Sequence, residues 1–278
     1  MLRRKENSVI LQNGYSLPLF GLGTWNLKGK ECTEIVEDAL VMGYKLIDTA
    51  HAYENHEAVG EALAAIPRER VFLTSKLFID KVDNKQVKRD VQKSCDLALK
   101  ELDVDYLDLF LIHWPDRAKP LTEILAAMHE LSKAGKVRSV GVSNFTIHHL
   151  QDLLNDGVVP HVNQVEFHPY LYQKELWDFC EKHEIALQAY RPLGKGELLK
   201  ERVFEEIAEV YDKTPAQVIL RWLIQKGIST IAKASSREHL EENLEAFSFI
   251  LSPSEMRKLD SLGKEVRYCD TDWADFEY

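Results

Sequence analysis

A closed (β/α)8 TIM barrel is the fold that this 278-residue sequence predicts, on three observations. Short apolar runs alternate with helical patterns about eight times in roughly 250 residues, the number a closed parallel barrel needs. The strand runs are continuously apolar, as when both faces of a parallel strand are covered. Acids, bases, amides and phenols follow strand after strand where plain turn residues would serve. An open doubly wound sheet is the runner-up. No Pro/Gly/Ser-rich linker or shift of composition divides the chain, so residues 1–278 are expected to form one domain, with a short N-terminal hairpin and a C-terminal extra helix and tail.

Residues 10–23 hold two apolar runs, the first broken by Asn13-Gly14, a hairpin signal, and the second (19–23) reading as the first barrel strand. Helix 31–42 carries Ile35, Ala39 and Met42 at helical spacing and stops at Gly43. Strand 45–47 leads to helix 57–65. Strand 71–74 leads to helix 84–102, whose Val87, Val91, Cys95, Ala98 and Leu102 share a face. Strand 107–112 precedes helix 121–133, closed by Gly135, and strand 139–142 precedes helix 147–154, closed by Gly157. Strand 162–166 feeds helix 174–182. Strand 186–189 feeds two helices, 201–211 and 216–225, the second opened by Thr214 as N-cap and Pro215 at the first helical position. Strand 229–231 leads to helix 238–246, and a last helix, 253–262, runs from Ser252 to Gly263.

The formal net charge of −10 would repel nucleic acid and anionic membrane, so neither is an expected partner. No apolar run approaches the ~20 residues a membrane span needs. The N-terminal MLRRKENSV has basic residues but no apolar stretch behind them, unlike a signal peptide. Cys32, Cys95, Cys180 and Cys269 are widely spaced and form no C-x-x-C, which reads as reduced thiols of a cytoplasmic protein.

In such a barrel the chemistry sits at the carboxyl ends of the strands. There the sequence places Asp48, Lys76, His113, Ser143-Asn144, Gln164 with Glu166, Tyr190 and Lys233, with Tyr53 in the turn after the second strand. Each alone has a plain reading: a helix cap, a solvated strand end, a core histidine. Together they converge on one mouth. A phenol has an ordinary pKa near 10, so Tyr53 gives up a proton only if its anion is stabilised, and an ammonium such as Lys76 would do that. Asp48 would hold Lys76 charged and oriented. A neutral His113 would direct a carbonyl oxygen. The set suits protonation of an oxygen that is becoming an alkoxide, which is carbonyl reduction or its reverse. No G-x-G-x-x-G follows a strand, no Walker lysine motif is present, and no H-E-x-x-H or Cys/His cluster offers a metal. Tyr190 for a flat ring, Ser143, Asn144 and Gln164 for a carboxamide, and the polar stretch from Lys233 fit a nicotinamide bound without a Rossmann fold.

With the motifs GLGTW, LIDTAHAYENHEAVG, SKLF, LDLFLIHWP, VGVSNF, VNQVEFHPY and TPAQVILRW, the chain resembles the aldo-keto reductases over nearly its whole length. The closest resemblance is to compact bacterial and archaeal-type members such as the 2,5-diketo-gluconate reductases. It implies NAD(P)H-dependent reduction of small aldehydes and ketones, with Tyr53, Asp48, Lys76 and His113 catalytic and Tyr53 the general acid. It also implies nicotinamide contacts from Ser143, Asn144 and Gln164, with Tyr190 stacking on the ring. Further cofactor contacts carry over to Leu193, Lys233, Ser235, Arg237, His239, Glu242 and Asn243, and pocket walls to Trp25, Phe78 and Trp114. The loop after His113 and the tail after Gly263 are short, so an open pocket is expected, with Trp273 or Phe276 folding over it. Monomer is the family default.

The chain departs from the family pattern in two places. Where the family often has proline-lysine-serine and then an arginine, this chain has Ala232, Lys233, Ala234 and His239. The lost serine and arginine help hold the 2′-phosphate of NADPH; Arg237 stands near as a compensating charge, but a weakened preference for NADPH with measurable use of NADH is expected. Arg191 stands where a small residue is usual, as a pyrophosphate contact or a surface charge. Two other readings stay in view. One is a non-catalytic nicotinamide-binding regulatory or structural relative, against which the intact tetrad argues. The other is a phosphate-binding aldolase or isomerase barrel, for which Gly194-Lys-Gly196 is the only weak candidate loop.

Overall fold

The computed structural model describes residues 2–271 and 274–278; Trp273, expected over the pocket, lies outside them. Eight parallel strands close into a barrel: β4 (Phe20–Gly23), β5 (Leu46–Asp48), β6 (Phe72–Leu77), β7 (Leu107–Ile112), β8 (Val137–Ser143), β9 (Val162–Glu166), β10 (Ala186–Tyr190) and β11 (Ser229–Ala232). Closure is made by β11 against β4, in the register Thr230–Phe20, Ile231–Gly21 and Ala232–Leu22. Before the barrel, β1 (Arg3–Lys5), β2 (Ser8–Ile10) and β3 (Ser16–Pro18) form a small antiparallel sheet. The sequence reading has a hairpin here; pairing of Arg3–Lys5 with β2 adds a third strand that no apolar pattern announces, because all three of its residues are exposed.

Around the barrel run α1 (Gly29–Val41), α2 (His56–Leu63), α3 (Val87–Glu101), α4 (Leu121–Lys133), α5 (Ile147–Asn155), α6 (Lys174–Lys182), α7 (Arg202–Tyr211), α8 (Pro215–Lys226), α9 (Arg237–Leu244) and α10 (Pro253–Asp260). Thr214 caps α8 with Pro215 in its first turn, and Ser252 caps α10 in the same way. The strand read as 71–74 runs on to Leu77, which puts Lys76 inside the barrel strand rather than after it. The helix read as 238–246 ends at Leu244 and tightens into a single 3₁₀ turn, Glu245–Phe247. Gly60 is where α2 meets the end of α3: a Cβ there would stand 2.6 Å from the Leu102 carbonyl oxygen, so only glycine allows this approach.

The antiparallel sheet covers the amino-terminal end of the barrel. Asn13, in the predicted turn, donates to the Arg138 carbonyl (3.0 Å) and Ser139 Oγ (3.1 Å), and Gln12 donates to the His183 carbonyl (2.8 Å). At the same end the buried Asp108 accepts from Arg68 (2.7 Å), Arg138 (2.8 Å) and the Leu73 amide (2.9 Å), with the Tyr106 ring between the two guanidinium groups. The face opposite this sheet, where the strands end, is left for the side chains that carry chemistry.

His161 enters β9 buried, its Nδ1 3.1 Å from the Val140 amide and its ring edge-on to His129. Burial, and secondarily His129, pushes its pKa down to about 4. The folded-state value is depressed, so below pH 6.5 the unfolded chain takes up a proton that the folded chain refuses, and stability falls as pH falls. Between pH 6.5 and 5 the expected loss from this residue is about 1.5 kcal/mol. Urea unfolding at the two pH values, with His161→Gln showing a smaller decline, checks this.

Candidate active site

The second barrel strand places the first charged group. Asp48 is the last residue of β5, its carbonyl taking the Thr24 hydroxyl (3.0 Å). The chain then makes a 3₁₀ turn, His51–Tyr53, leaves it through a left-handed Glu54, and enters α2. Asn55 fixes that turn from inside. It donates to the carbonyls of Thr24 (2.9 Å) and Leu27 (3.1 Å) and accepts from Thr49 Oγ1 (2.7 Å). The Lys28 ammonium reaches the Tyr53 carbonyl from outside (2.7 Å).

Lys76 projects from β6 into the barrel, only 1% exposed, and each of its three protons has an acceptor. They go to Asp48 Oδ1 (2.5 Å), the Thr49 carbonyl (3.0 Å) and Tyr53 Oη (3.2 Å). The other Asp48 oxygen accepts from Gln164 Nε2 (2.7 Å). Gln164 also donates to Gln188 Oε1 (2.7 Å), Gln188 to Ser229 Oγ (3.0 Å), and Ser229 to the Pro18 carbonyl (2.8 Å). One line of buried side chains therefore runs from the mouth of the barrel to its base. Gln188 and Ser229 were not among the residues singled out in the sequence. The visible signal was a lone polar residue in the apolar strand ALQAY.

Burial works against the Lys76 charge, but Asp48 and Tyr53 outweigh it and hold the ammonium above its ordinary range. Burial raises the Asp48 carboxyl, with Lys76 and Gln164 pulling back. For Tyr53 burial also dominates and the pKa goes up, Lys76 offsetting only part of it and Asp48 adding to the rise. The sequence argument took one ammonium to be enough to lower this phenol; it is not, because burial outweighs the ammonium and the paired carboxylate adds to the rise. The hydroxyl stays protonated at neutral pH. His113 lies edge-on to the Tyr53 ring at 5.6 Å, and burial, then Lys76, pushes it well below the usual histidine range, so its imidazole is neutral.

A cavity of about 430 Å³ opens over these groups. It brings together Asp48, Tyr53, His113, Ser143, Asn144, Gln164, Tyr190 and Lys233, and the three expected wall residues Trp25, Phe78 and Trp114. Asn144, held at φ 65°, donates to the His113 carbonyl (3.1 Å) and accepts from Tyr190 Oη (2.7 Å). Ser143 donates to the Gln164 carbonyl (2.8 Å). Cys269 and Thr271 of the tail also line the cavity, and neither was foreseen.

The tail is fastened by a carboxylate the sequence placed at a strand end without a role. Buried Glu166 accepts the amides of Tyr268 and Cys269 (2.7 Å each) and also faces His168 Nε2 (3.0 Å). Arg191, at φ 49°, donates to the Tyr268 carbonyl (2.8 Å) and lies over the Trp25 ring, so its contacts here are with the tail and a pocket wall. Farther on, Arg117 pairs with Asp275, and Phe276 packs edge-on to Trp114 at 5.8 Å.

Of the remaining expected cofactor contacts, Leu193 follows β10, Lys233 lies at the cavity's edge, and Ser235, Arg237, His239, Glu242 and Asn243 lie on or just before α9. Leu193 is half-buried, and Lys233, Ser235 and His239 are exposed. The Arg237 guanidinium pairs with Asp38 (2.8 Å) and Glu241 (3.3 Å). Glu242 accepts the Thr214 hydroxyl (2.6 Å), and Asn243 is buried.

The Aldo/keto reductase family model matches residues 19–264. Glyoxal reductase of Bacillus subtilis (strain 168) is 44% identical over 266 residues, covering 94% of this chain and 95% of that protein. Methylglyoxal reductase DkgA of Escherichia coli (strain K12) is 38% identical over 266 residues, covering 93% and 94%. Among solved structures, apo Gox0644 superposes with a TM-score of 0.88 at 38% identity over 94% of each chain. MGS-M4, an aldo-keto reductase enzyme from a Medee basin deep-sea metagenome library, gives 0.89 at 37%, covering 95% of this chain and 100% of that one.

Removing one partner of a buried ion pair strands the other charge. Asp48→Asn is expected to cost ~3–5 kcal/mol of folding stability at neutral pH, measured by urea unfolding.

Proposed function

The chain belongs to the aldo/keto reductase family and is an oxidoreductase, and from that premise we propose that it reduces small aldehydes and ketones with NAD(P)H, Tyr53 acting as general acid. The observation that carries this reading is the Tyr53 hydroxyl, protonated, 3.2 Å from an ammonium with no other free proton, and facing a cavity walled by aromatic rings. The donor set fits a nicotinamide. Asn144 and Gln164 carry amides that match a carboxamide, Ser143 adds a hydroxyl, and Tyr190 supplies a flat wall. Bound there, the reduced cofactor supplies the hydride.

The chain's own groups do the rest. Neutral His113 donates a hydrogen bond to the carbonyl oxygen and sets its direction. Tyr53 gives that oxygen its proton as negative charge develops, and Lys76 stabilises the tyrosinate left behind. Asp48 keeps Lys76 charged and aimed. Trp25, Phe78, Trp114 and the tail exclude water. The relatives named as glyoxal and methylglyoxal reductases support small 2-oxoaldehydes as substrates. The reading takes residues 1–278 as one domain acting as a cytoplasmic monomer.

For the cofactor's far end, we read Lys233, Ser235, His239, Glu242 and Asn243 as the adenosine side, with a weakened preference for NADPH. Ala234 has no hydroxyl, and His239 has no bidentate guanidinium, to offer a 2′-phosphate. Arg237 is already engaged by two carboxylates, which lessens what it can offer.

Oxidation of NADPH and of NADH, followed by absorbance with methylglyoxal and a nitrobenzaldehyde, tests both statements. Tyr53→Phe is expected to lower turnover by 10²-fold or more while cofactor binding, followed by fluorescence, is retained. Wild type that binds cofactor but turns over no carbonyl overturns the reductase reading. The two cofactors are expected to differ by far less than a thousandfold in kcat/KM, and a ratio of that size (about 4 kcal/mol) refutes the weakened preference.

A further inference from the structure

Behind the turn that carries Tyr53, a second group of side chains faces a separate cavity of about 640 Å³. His51 opens the 3₁₀ turn, His56 lies in the first turn of α2, and Glu101 ends α3. Their ligand atoms all lie within 4.8 Å of one another. Glu101 Oε2 stands 2.8 Å from His56 Nδ1 and 3.5 Å from His51 Nδ1. None of the three takes part in the chemistry proposed above.

Two imidazoles and one carboxylate are the ligand types of a three-protein-ligand zinc site with a fourth position open. Bonds near 2.1 Å in a tetrahedral site put ligand atoms ~3.4 Å apart. The His51–Glu101 distance is already close to this. The His56–Glu101 distance needs Glu101 to withdraw by about half an ångström, which its 27% exposed side chain allows. His51 is 38% exposed and gives an ion a path in. The cavity wall carries Glu54, Glu57 and Glu101 against Lys81, an excess of carboxylates that favours a cation.

The remote nitrogen of His56 supplies an independent sign. Its Nε2 lies 2.9 Å from Ser75 Oγ on the outward side of β6, and Ser75 is wholly buried. A metal-bound imidazole is ordinarily oriented by a partner at its other nitrogen. A hydroxyl can serve both states. Without metal, Nδ1–H donates to Glu101 and Ser75 donates to Nε2. With metal, Nδ1 turns its lone pair to the ion, and Nε2 carries the one imidazole proton and donates to Ser75, so His56 changes tautomer and stays neutral. The order Ser75–His56–Glu101 also matches a nucleophile triad, but the buried hydroxyl has no route to a substrate.

We propose that His51, His56 and Glu101 form a Zn²⁺ site on the outer side of the Tyr53 turn, with Ser75 orienting His56 and water in the remaining position. An ion there ties the turn, α2 and the end of α3 together. The site does not rest on the reductase reading, since its test is binding.

Chelator-stripped full-length protein is titrated with ZnSO4 by calorimetry, and melted with and without Zn²⁺. The expected result is one ion per chain at micromolar affinity or better and a higher melting temperature. His51→Ala and Glu101→Gln, each with an unchanged circular dichroism spectrum, are expected to weaken binding at least tenfold, and Ser75→Ala by 10–100-fold. Absence of saturable binding below 100 μM Zn²⁺, or equal affinity in wild type and His51→Ala, overturns the proposal.

Discussion

The ion pair of Lys76 and Asp48, 2.5 Å apart and each 1% exposed, sets the terms for everything around it. Two charges taken from water are tolerated only when the remaining protons and lone pairs are also satisfied. That demand reaches far. Lys76 needs the Thr49 carbonyl and the Tyr53 hydroxyl, and Asp48 needs Gln164, which in turn engages Gln188, Ser229 and the Pro18 carbonyl. The barrel must close in register for these partners to meet, and the small sheet at its base must sit where Pro18 accepts. A polar thread of this kind gives an otherwise apolar barrel one arrangement rather than several, because any slip leaves a buried donor unpaired.

The same logic places the aromatic groups above it. Tyr53 is carried on a turn rather than on a strand, and a turn alone would leave the hydroxyl loosely placed. Asn55, buried and bonded to Thr24, Leu27 and Thr49, pins that turn to the strand-end loops on either side of it. Glu166 fixes the tail, whose Cys269 and Thr271 complete the cavity wall. Two fully buried polar residues thus set the shape of a pocket in which they do not themselves react.

Strand and helix order were legible from apolar periodicity, glycine stops and the Thr214-Pro215 cap, because these are local signals and the barrel follows from counting them. The strand-end residues were legible because polar groups in that position have no packing reason to recur. Three things were not. Arg3–Lys5 pairs through its backbone with exposed side chains, which leaves no pattern to read. Gln188 and Ser229 gain their meaning from partners 24 and 41 residues away along the chain. The upward shift of Tyr53 depends on how burial and two opposed charges balance at one oxygen, which spacing cannot supply.

The tail meets the barrel through Glu166, Arg191 and Arg117, and among the described residues no tail side chain hydrogen-bonds Asp48, Lys76 or Tyr53. The reactive centre and part of its enclosure are therefore written in different, weakly coupled stretches of sequence. Residues 264–278 can diversify, or be exchanged for another segment, while the Asp48–Lys76–Tyr53 cluster stays as it is. Such modularity lets the shape of the cavity wall change without disturbing the buried ion pair beneath it.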